Sequence, residues 1–162
     1  MIEVEVGDPA WEEALPDASQ ITEQAAEAAI AAASGNDATH AGDLVVLLTD
    51  DAQVKDLNAR FRGKDMATNV LSFPAPPNTQ DHIGDIALAY GVCAGEAATQ
   101  GKTLADHLRH LTIHGVLHLF GYDHEIDSEA EAMEALERRI LAGLGVADPY
   151  SADLNGDDAD HG

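Results

Sequence analysis

The run His114-Gly115-Val116-Leu117-His118-Leu119-Phe120-Gly121-Tyr122-Asp123-His124 sets three imidazoles around one glycine on an otherwise apolar segment. A spacing of four puts His114 and His118 on one face of a helix, about one turn apart, where both rings can reach one ion. Gly121 can adopt the left-handed turn that folds the chain back and delivers His124 from a third side. Three neutral imidazoles plus water is the composition of an open, hydrolytic zinc site; a closed structural site ordinarily brings a fourth protein ligand, often cysteine. The single cysteine, Cys93, lies well upstream. Asp123 offers either a hydrogen bond to a ligating ring or a fourth ligand. A histidine is most often a polar surface residue or a capped core residue, and that description fits His40, His82, His107, His110 and His161 one by one. It fits the trio poorly, because three imidazoles on an apolar helix are costly to bury unless something binds them.

The same spacing matches the metzincin signature His-Glu-x-x-His-x-x-Gly-x-x-His, except that Gly115 stands in the glutamate position. In those proteases the glutamate is the general base, and a positioned base is worth ~10²–10⁴-fold in rate. Its absence argues against peptidase chemistry. A metal at the site retains the capacity to lower the pKa of its water to ~7 and to polarise a phosphoryl oxygen.

The helix that carries the first two histidines extends upstream, where Leu104, Leu108 and Leu111 continue the face of Val116, Leu117 and Phe120 until Gly121 ends it. Residues 128–142 read as a last amphipathic helix, with Met133, Leu136 and Ile140 inward and its Glu and Arg residues outward. At the other end, Ile2-Glu3-Val4-Glu5-Val6 alternates like an edge strand stopped by Pro9. Further strands are expected at 44–48, at 68–73 closed by Pro74, and at 83–89. An Ala-rich helix is expected over 22–33, a short one around 92–99, and another after the cap Thr49-Asp50-Asp51, with Val54, Leu57 and Phe61 as its apolar face and Gly63 as its end. The stretch 75–82, with Pro76 and Pro77, reads as a mobile loop. Four strands and about five helices in this order indicate an α+β domain over residues 1–146, followed by an acidic tail, 147–162, expected to be disordered.

At 162 residues and 17.0 kDa the chain suits one core. Thirty acidic against eight basic residues give a net charge of −22, which excludes non-specific DNA wrapping or binding to anionic membranes over the whole surface. Any phosphate contact must be local. One cysteine allows no intramolecular disulfide, and the start MIEVEVGDPAWEE has neither the basic region nor the apolar run of a signal peptide. The expected setting is the cytoplasm. The acidity reads either as a hydration adaptation to a salt-rich interior or as compositional bias.

Against that charge, Lys55, Arg60, Arg62 and Lys64 gather half of the basic residues within ten positions, opposed inside the window by Asp56 alone. Arg62 offers a planar fork suited to a phosphate, and Arg60 and Lys64 can steer a nucleic-acid backbone toward it. The plainer alternative is solvated helix-end charge, favourably placed against the helix dipole.

The segment Leu57-Asn58-Ala59-Arg60-Phe61-Arg62-Gly63-Lys64-Asp65-Met66-Ala67-Thr68-Asn69-Val70-Leu71-Ser72-Phe73-Pro74, followed by Gly84-Asp85-Ile86 and the three-histidine run, resembles the two signature blocks of the YbeY family in order and separation. A weaker resemblance spans roughly residues 2–144 and leaves the tail outside. The resemblance implies a zincin-like fold, a mixed four-stranded sheet packed with helices. It also implies a bacterial, single-strand-specific, metal-dependent endoribonuclease acting in ribosomal RNA processing, in maturation of the small subunit at the 16S rRNA 3′ end, and in ribosome quality control. By position, His114, His118 and His124 correspond to the family's zinc ligands, one Zn2+ per chain, and Arg62 to its functional arginine. The implied partners are single-stranded ribosomal RNA and the small ribosomal subunit with its proteins, with no membrane and no DNA. The implied chemistry has zinc activate water or polarise the scissile phosphate while Arg62 stabilises charge on the phosphoryl oxygens. The global acidity departs from a family whose members often show a more evident basic groove. A second reading, from another class, is a non-catalytic ribosome-assembly factor in which zinc pins the last two helices; the missing carboxylate at Gly115 keeps it open. A third is a protease lacking its glutamate.

Overall fold

The structure is a computed structural model that describes residues 2–33, 42–75, 82–122 and 127–146. His40, Asp123, His124, the interior of the 75–82 loop and the tail 147–162 lie outside the described residues.

The alternating sequence at the start forms β1 (Ile2–Val6), and the apolar run forms β2 (Asp43–Thr49). With β3 (Val70–Pro74) and β4 (His82–Ala89) they make one mixed sheet in the order β1-β2-β4-β3. β1 and β4 run parallel to β2, and β3 runs antiparallel to β4. Both β1 and β3 are therefore edges. Residues of one parity share a face of the sheet. Leu44, Val46, Leu48, Ile86 and Leu88 form the buried apolar floor of one face, and the register adds Ser72 opposite Ile86. The other face carries Leu47, Leu71, Phe73, Ala87 and Ala89.

Among the described residues six helices surround the sheet: α1 (Ala10–Ala14), α2 (Ala18–Ala33), α3 (Asp51–Arg62), α4 (Tyr90–Gln100), α5 (Leu104–Leu119) and α6 (Asp127–Gly143). The sequence predicts five. The extra one, α1, is held by tertiary contacts: its buried Trp11 donates from Nε1 to the Thr49 carbonyl at 3.0 Å and meets Tyr90 edge-on at 5.3 Å. α2 starts four residues earlier than expected, because Ala18 and Ile21 are themselves core residues. α5 begins at Thr103, whose hydroxyl accepts from the Asp106 N–H at 3.1 Å, and it packs with α2 over the Leu44/Ile86 face. α3 lies on the opposite face, its N-terminus capped by Asp50, which accepts from the Gln53 N–H at 2.8 Å.

Two side-chain expectations are overturned. Phe61 does not join Val54 in the core but is 64% exposed, its ring set against the half-buried Phe73 of edge strand β3. On α6, Glu137 points inward with Met133 and Ile140 and is fully buried. No helix among the described residues is long and apolar enough to cross a membrane.

Candidate metal centre

α5 delivers His114 and His118 to one spot at its C-terminal end. Their rings meet edge-on with centroids 4.5 Å apart, and the two Nε2 atoms face each other at 3.0 Å. What the far side of each ring touches fixes its tautomer. His118 Nδ1 lies 2.9 Å from the Tyr122 carbonyl, which can only accept, so the ring donates there. His114 Nδ1 lies 2.7 Å from Glu137 Oε2.

Glu137 arrives from α6 and also receives the Nε2–H of His110 on its other oxygen, at 3.0 Å. Burial alone would raise this carboxyl, but the hydrogen bonds from His110 and His114 outweigh it and hold the group far below the ordinary carboxylate range. Glu137 is therefore an anion that only accepts, and His114 Nδ1 is a donor. Burial likewise holds the His110 pKa below that of a free imidazole, against the pull of Glu137, so this ring is a neutral donor.

The consequence for the pair is electrostatic. With both Nδ1 atoms committed as donors, the two Nε2 atoms face each other across 3.0 Å. Two lone pairs at that distance repel unless a proton or a metal ion lies between them. Nitrogens on one tetrahedral zinc stand ~3.3 Å apart, given zinc–nitrogen bonds of 2.0–2.1 Å, so the donor set fits such an ion. The carboxylate and the carbonyl behind the rings are the usual outer partners of metal-bound histidines. Among the described residues no three His, Cys, Asp or Glu side chains converge on a metal position. The expected third ligand, His124, lies outside them, and Gly121, with φ 98°, makes the left-handed turn that leads toward it.

Gly115 has a packing role of its own. A Cβ there would sit 3.1 Å from Ile86 Cδ1 and from Ser72 Oγ, so α5 lies close against the sheet at this point. The position occupied by glutamate in metzincins thus faces the floor of the sheet.

Arg62 ends α3 on the far side of edge strand β3. Its guanidinium lies 5.5 Å from the centre of the Phe73 ring and donates to the Ser72 carbonyl. The Ser72 hydroxyl lies 3.1 Å from the Gly115 carbonyl, so a single strand residue joins the arginine to the histidine helix. The rest of the basic patch is partly neutralised. Arg60 pairs with Asp56 at 3.3 Å, and Lys55 with Asp65 at 4.0 Å, all on the surface. Asn69 and Ser72 bond backbone groups: Asn69 Oδ1 accepts from the Val70 N–H at 2.7 Å, and Ser72 donates to the Gly115 carbonyl.

Glu137 and His110 were not singled out by the sequence. The signal for Glu137 was its position: it falls in the inward register of Met133, Ile140 and Leu141, where a charged residue calls for a partner.

Comparison with known proteins identifies the family. Residues 9–145 match the family described as Endoribonuclease YbeY. The chain is 49% identical over 157 residues to the Endoribonuclease YbeY of Paramagnetospirillum magneticum, covering 92% of this chain and 94% of that protein. It is 47% identical over 159 residues to that of Azorhizobium caulinodans, at 96% and 99% coverage. The solution structure of TM1509 from Thermotoga maritima superposes with a TM-score of 0.53 at 25% identity, covering 100% of this chain and 99% of that one.

Proposed function

Since the chain belongs to the YbeY endoribonuclease family, we propose that it is a zinc-dependent endoribonuclease that cuts single-stranded ribosomal RNA, acting in maturation of the small subunit at the 16S rRNA 3′ end and in ribosome quality control. The observation that carries the metal part of this reading is the pair of Nε2 atoms facing each other at 3.0 Å while both Nδ1 atoms are committed as donors. His114 and His118 would hold the ion, with His124 as the third ligand. When bound, zinc supplies Lewis acidity toward a phosphoryl oxygen or an acidified water.

The remaining work falls to the chain's own groups. Glu137 and the Tyr122 carbonyl orient the two rings, and the anionic carboxylate makes His114 the more basic ligand. Arg62 carries five N–H donors, so its bond to Ser72 leaves others to meet phosphoryl oxygens and the charge that gathers on them. No carboxylate serves as base from position 115, which is taken up by helix-to-sheet contact.

The test is cleavage of a single-stranded ribosomal RNA fragment by zinc-loaded protein across a salt series, beside His118→Ala and Arg62→Ala preparations. Activity in the wild type alone is the expected result. Equal activity in all three would expose a contaminant. No turnover in any, with loss of stability on chelation, would replace the enzyme reading by that of a zinc-stabilised ribosome-assembly factor, which the absence of a base at Gly115 favours.

A further inference from the structure

Phe61 is one of two large hydrophobic residues exposed among the described residues; the other, Met66 at 58%, lies five positions on. The segment between them is not slack. Gly63 closes α3 in the left-handed conformation, the Lys64 N–H donates to the Asn58 carbonyl at 3.2 Å, and the buried Asn58 amide donates to the Met66 carbonyl at 2.9 Å. Phe61 meets Phe73 at 5.6 Å between ring centres, with planes 64° apart. A guanidinium is set against each ring: Arg60 at 5.9 Å from Phe61, Arg62 at 5.5 Å from Phe73. An exposed ring backed by a half-buried one, each with a guanidinium set against it, stands on a chain whose net charge is −22.

From this arrangement we propose that Phe61, with Phe73, Arg60 and Arg62, forms a stacking platform for an unpaired base of single-stranded RNA. This rests on the endoribonuclease reading above and adds how the substrate is held. The exposed Phe61 ring offers a π-face that any base can stack on, and guanidinium planes stack on bases while their charge attracts the adjoining phosphates. An apolar partner side chain would account for Phe61 and Met66 but not for the two guanidiniums set on the rings. The location is also right. Phe73 follows Ser72 on edge strand β3 and lies on the α3 face, while the Ser72 carbonyl accepts from Arg62 and its hydroxyl touches Gly115 beside His114, so one edge strand separates the platform from the histidine pair. A base already paired in a duplex has no free face to present, so the platform itself selects single strands.

The measurement is affinity by fluorescence anisotropy, with the full chain as purified. The probes are a labelled 2′-O-methyl oligoribonucleotide of mixed sequence and one of equal length and charge with abasic positions. Wild type, Phe61→Leu and Phe61→Tyr are compared, and melting followed through the single, buried Trp11 checks that all three share the fold. Wild type is expected to bind the abasic probe on the order of tenfold more weakly. Phe61→Leu, which keeps apolar area and loses the ring, should drop by a similar factor on the base-bearing probe and no longer discriminate, whereas Phe61→Tyr should behave as wild type. Wild-type affinity in Phe61→Leu, or equal binding of both probes by the wild type, overturns the platform while leaving RNA cleavage intact. A wild type that neither binds nor cleaves RNA removes the endoribonuclease reading and the platform together.

Discussion

Glu137 decides what His114 can be. Its carboxylate fixes the Nδ1–H tautomer through a 2.7 Å contact and holds His110 with its other oxygen, from a position with no exposure to solvent. Glu137→Gln keeps the shape but removes the charge and turns one of two acceptors into a donor, so one of the two rings must reorient. Loss of such an outer partner typically costs ~10–100-fold in metal affinity. That drop is the expected result in a zinc competition titration, and unchanged affinity would mean that the carboxylate only braces α6 against α5. Gly115 argues in the opposite sense. Gly115→Glu completes the metzincin pattern on paper, but its side chain would be driven between Ile86 and Ser72. Overpacking and an unpaired buried charge together should cost at least ~3 kcal/mol in denaturant unfolding, with no peptidase activity gained. A Gly115→Glu protein of native stability would show that the helix can lift off the sheet.

Helices α4 and α5 and the start of β3 are tied together by a second carboxylate. Glu96 accepts from His107 Nε2 at 2.9 Å and from Asn69 Nδ2 at 3.0 Å. Burial would raise its pKa, yet the hydrogen bonds from His107 and Asn69 prevail and hold it below the ordinary value of 4.5. A carboxyl depressed on folding contributes stability that is fully present above the unfolded pKa and is lost as pH falls through the folded one. Melting temperature should therefore fall as pH drops below ~4.5, and Glu96→Gln should melt lower at neutral pH but with a flatter acid limb. Parallel curves for the two proteins would place the acid sensitivity elsewhere. This is also the scale at which the sequence was most and least legible. Strands β1, β2 and β4 announce themselves through alternation or an unbroken apolar run, and α5 through its long apolar face, because each pattern is local. α1 was missed because its five residues, though rich in helix-forming Ala and Glu, are too few to stand alone and depend on the Trp11 anchor to Thr49 and Tyr90. Phe61 keeps helical spacing with Val54 and Leu57, but periodicity cannot tell which position on an apolar face the sheet leaves uncovered. The histidine pair was readable from a spacing of four, whereas Glu137 lies 23 positions from its partner and Arg62 reaches the site only through Ser72.

For the molecule as a whole, a net charge of −22 must be reconciled with a polyanionic substrate. The cations near the site are few: Arg60 and Lys55 already face Asp56 and Asp65, which leaves Arg62 and Lys64 with Arg60 in part. A protein that releases counterions from single-stranded nucleic acid shows a slope of about −0.7 per neutralised phosphate in log affinity against log salt. Three cations thus set an upper bound of roughly −2. Repulsion between the acidic surface and the RNA runs the other way, since salt that shortens the screening length from ~10 Å at 0.1 M to ~3 Å at 1 M weakens it. The same screening relieves the chain's self-repulsion and should raise its melting temperature with salt. The expected binding isotherms therefore shift little across a salt series, with a slope shallower than about −2, while thermal stability climbs. A slope near −5 would require a basic surface that the described residues do not contain, and would move the RNA path away from Arg62 and the edge of β3.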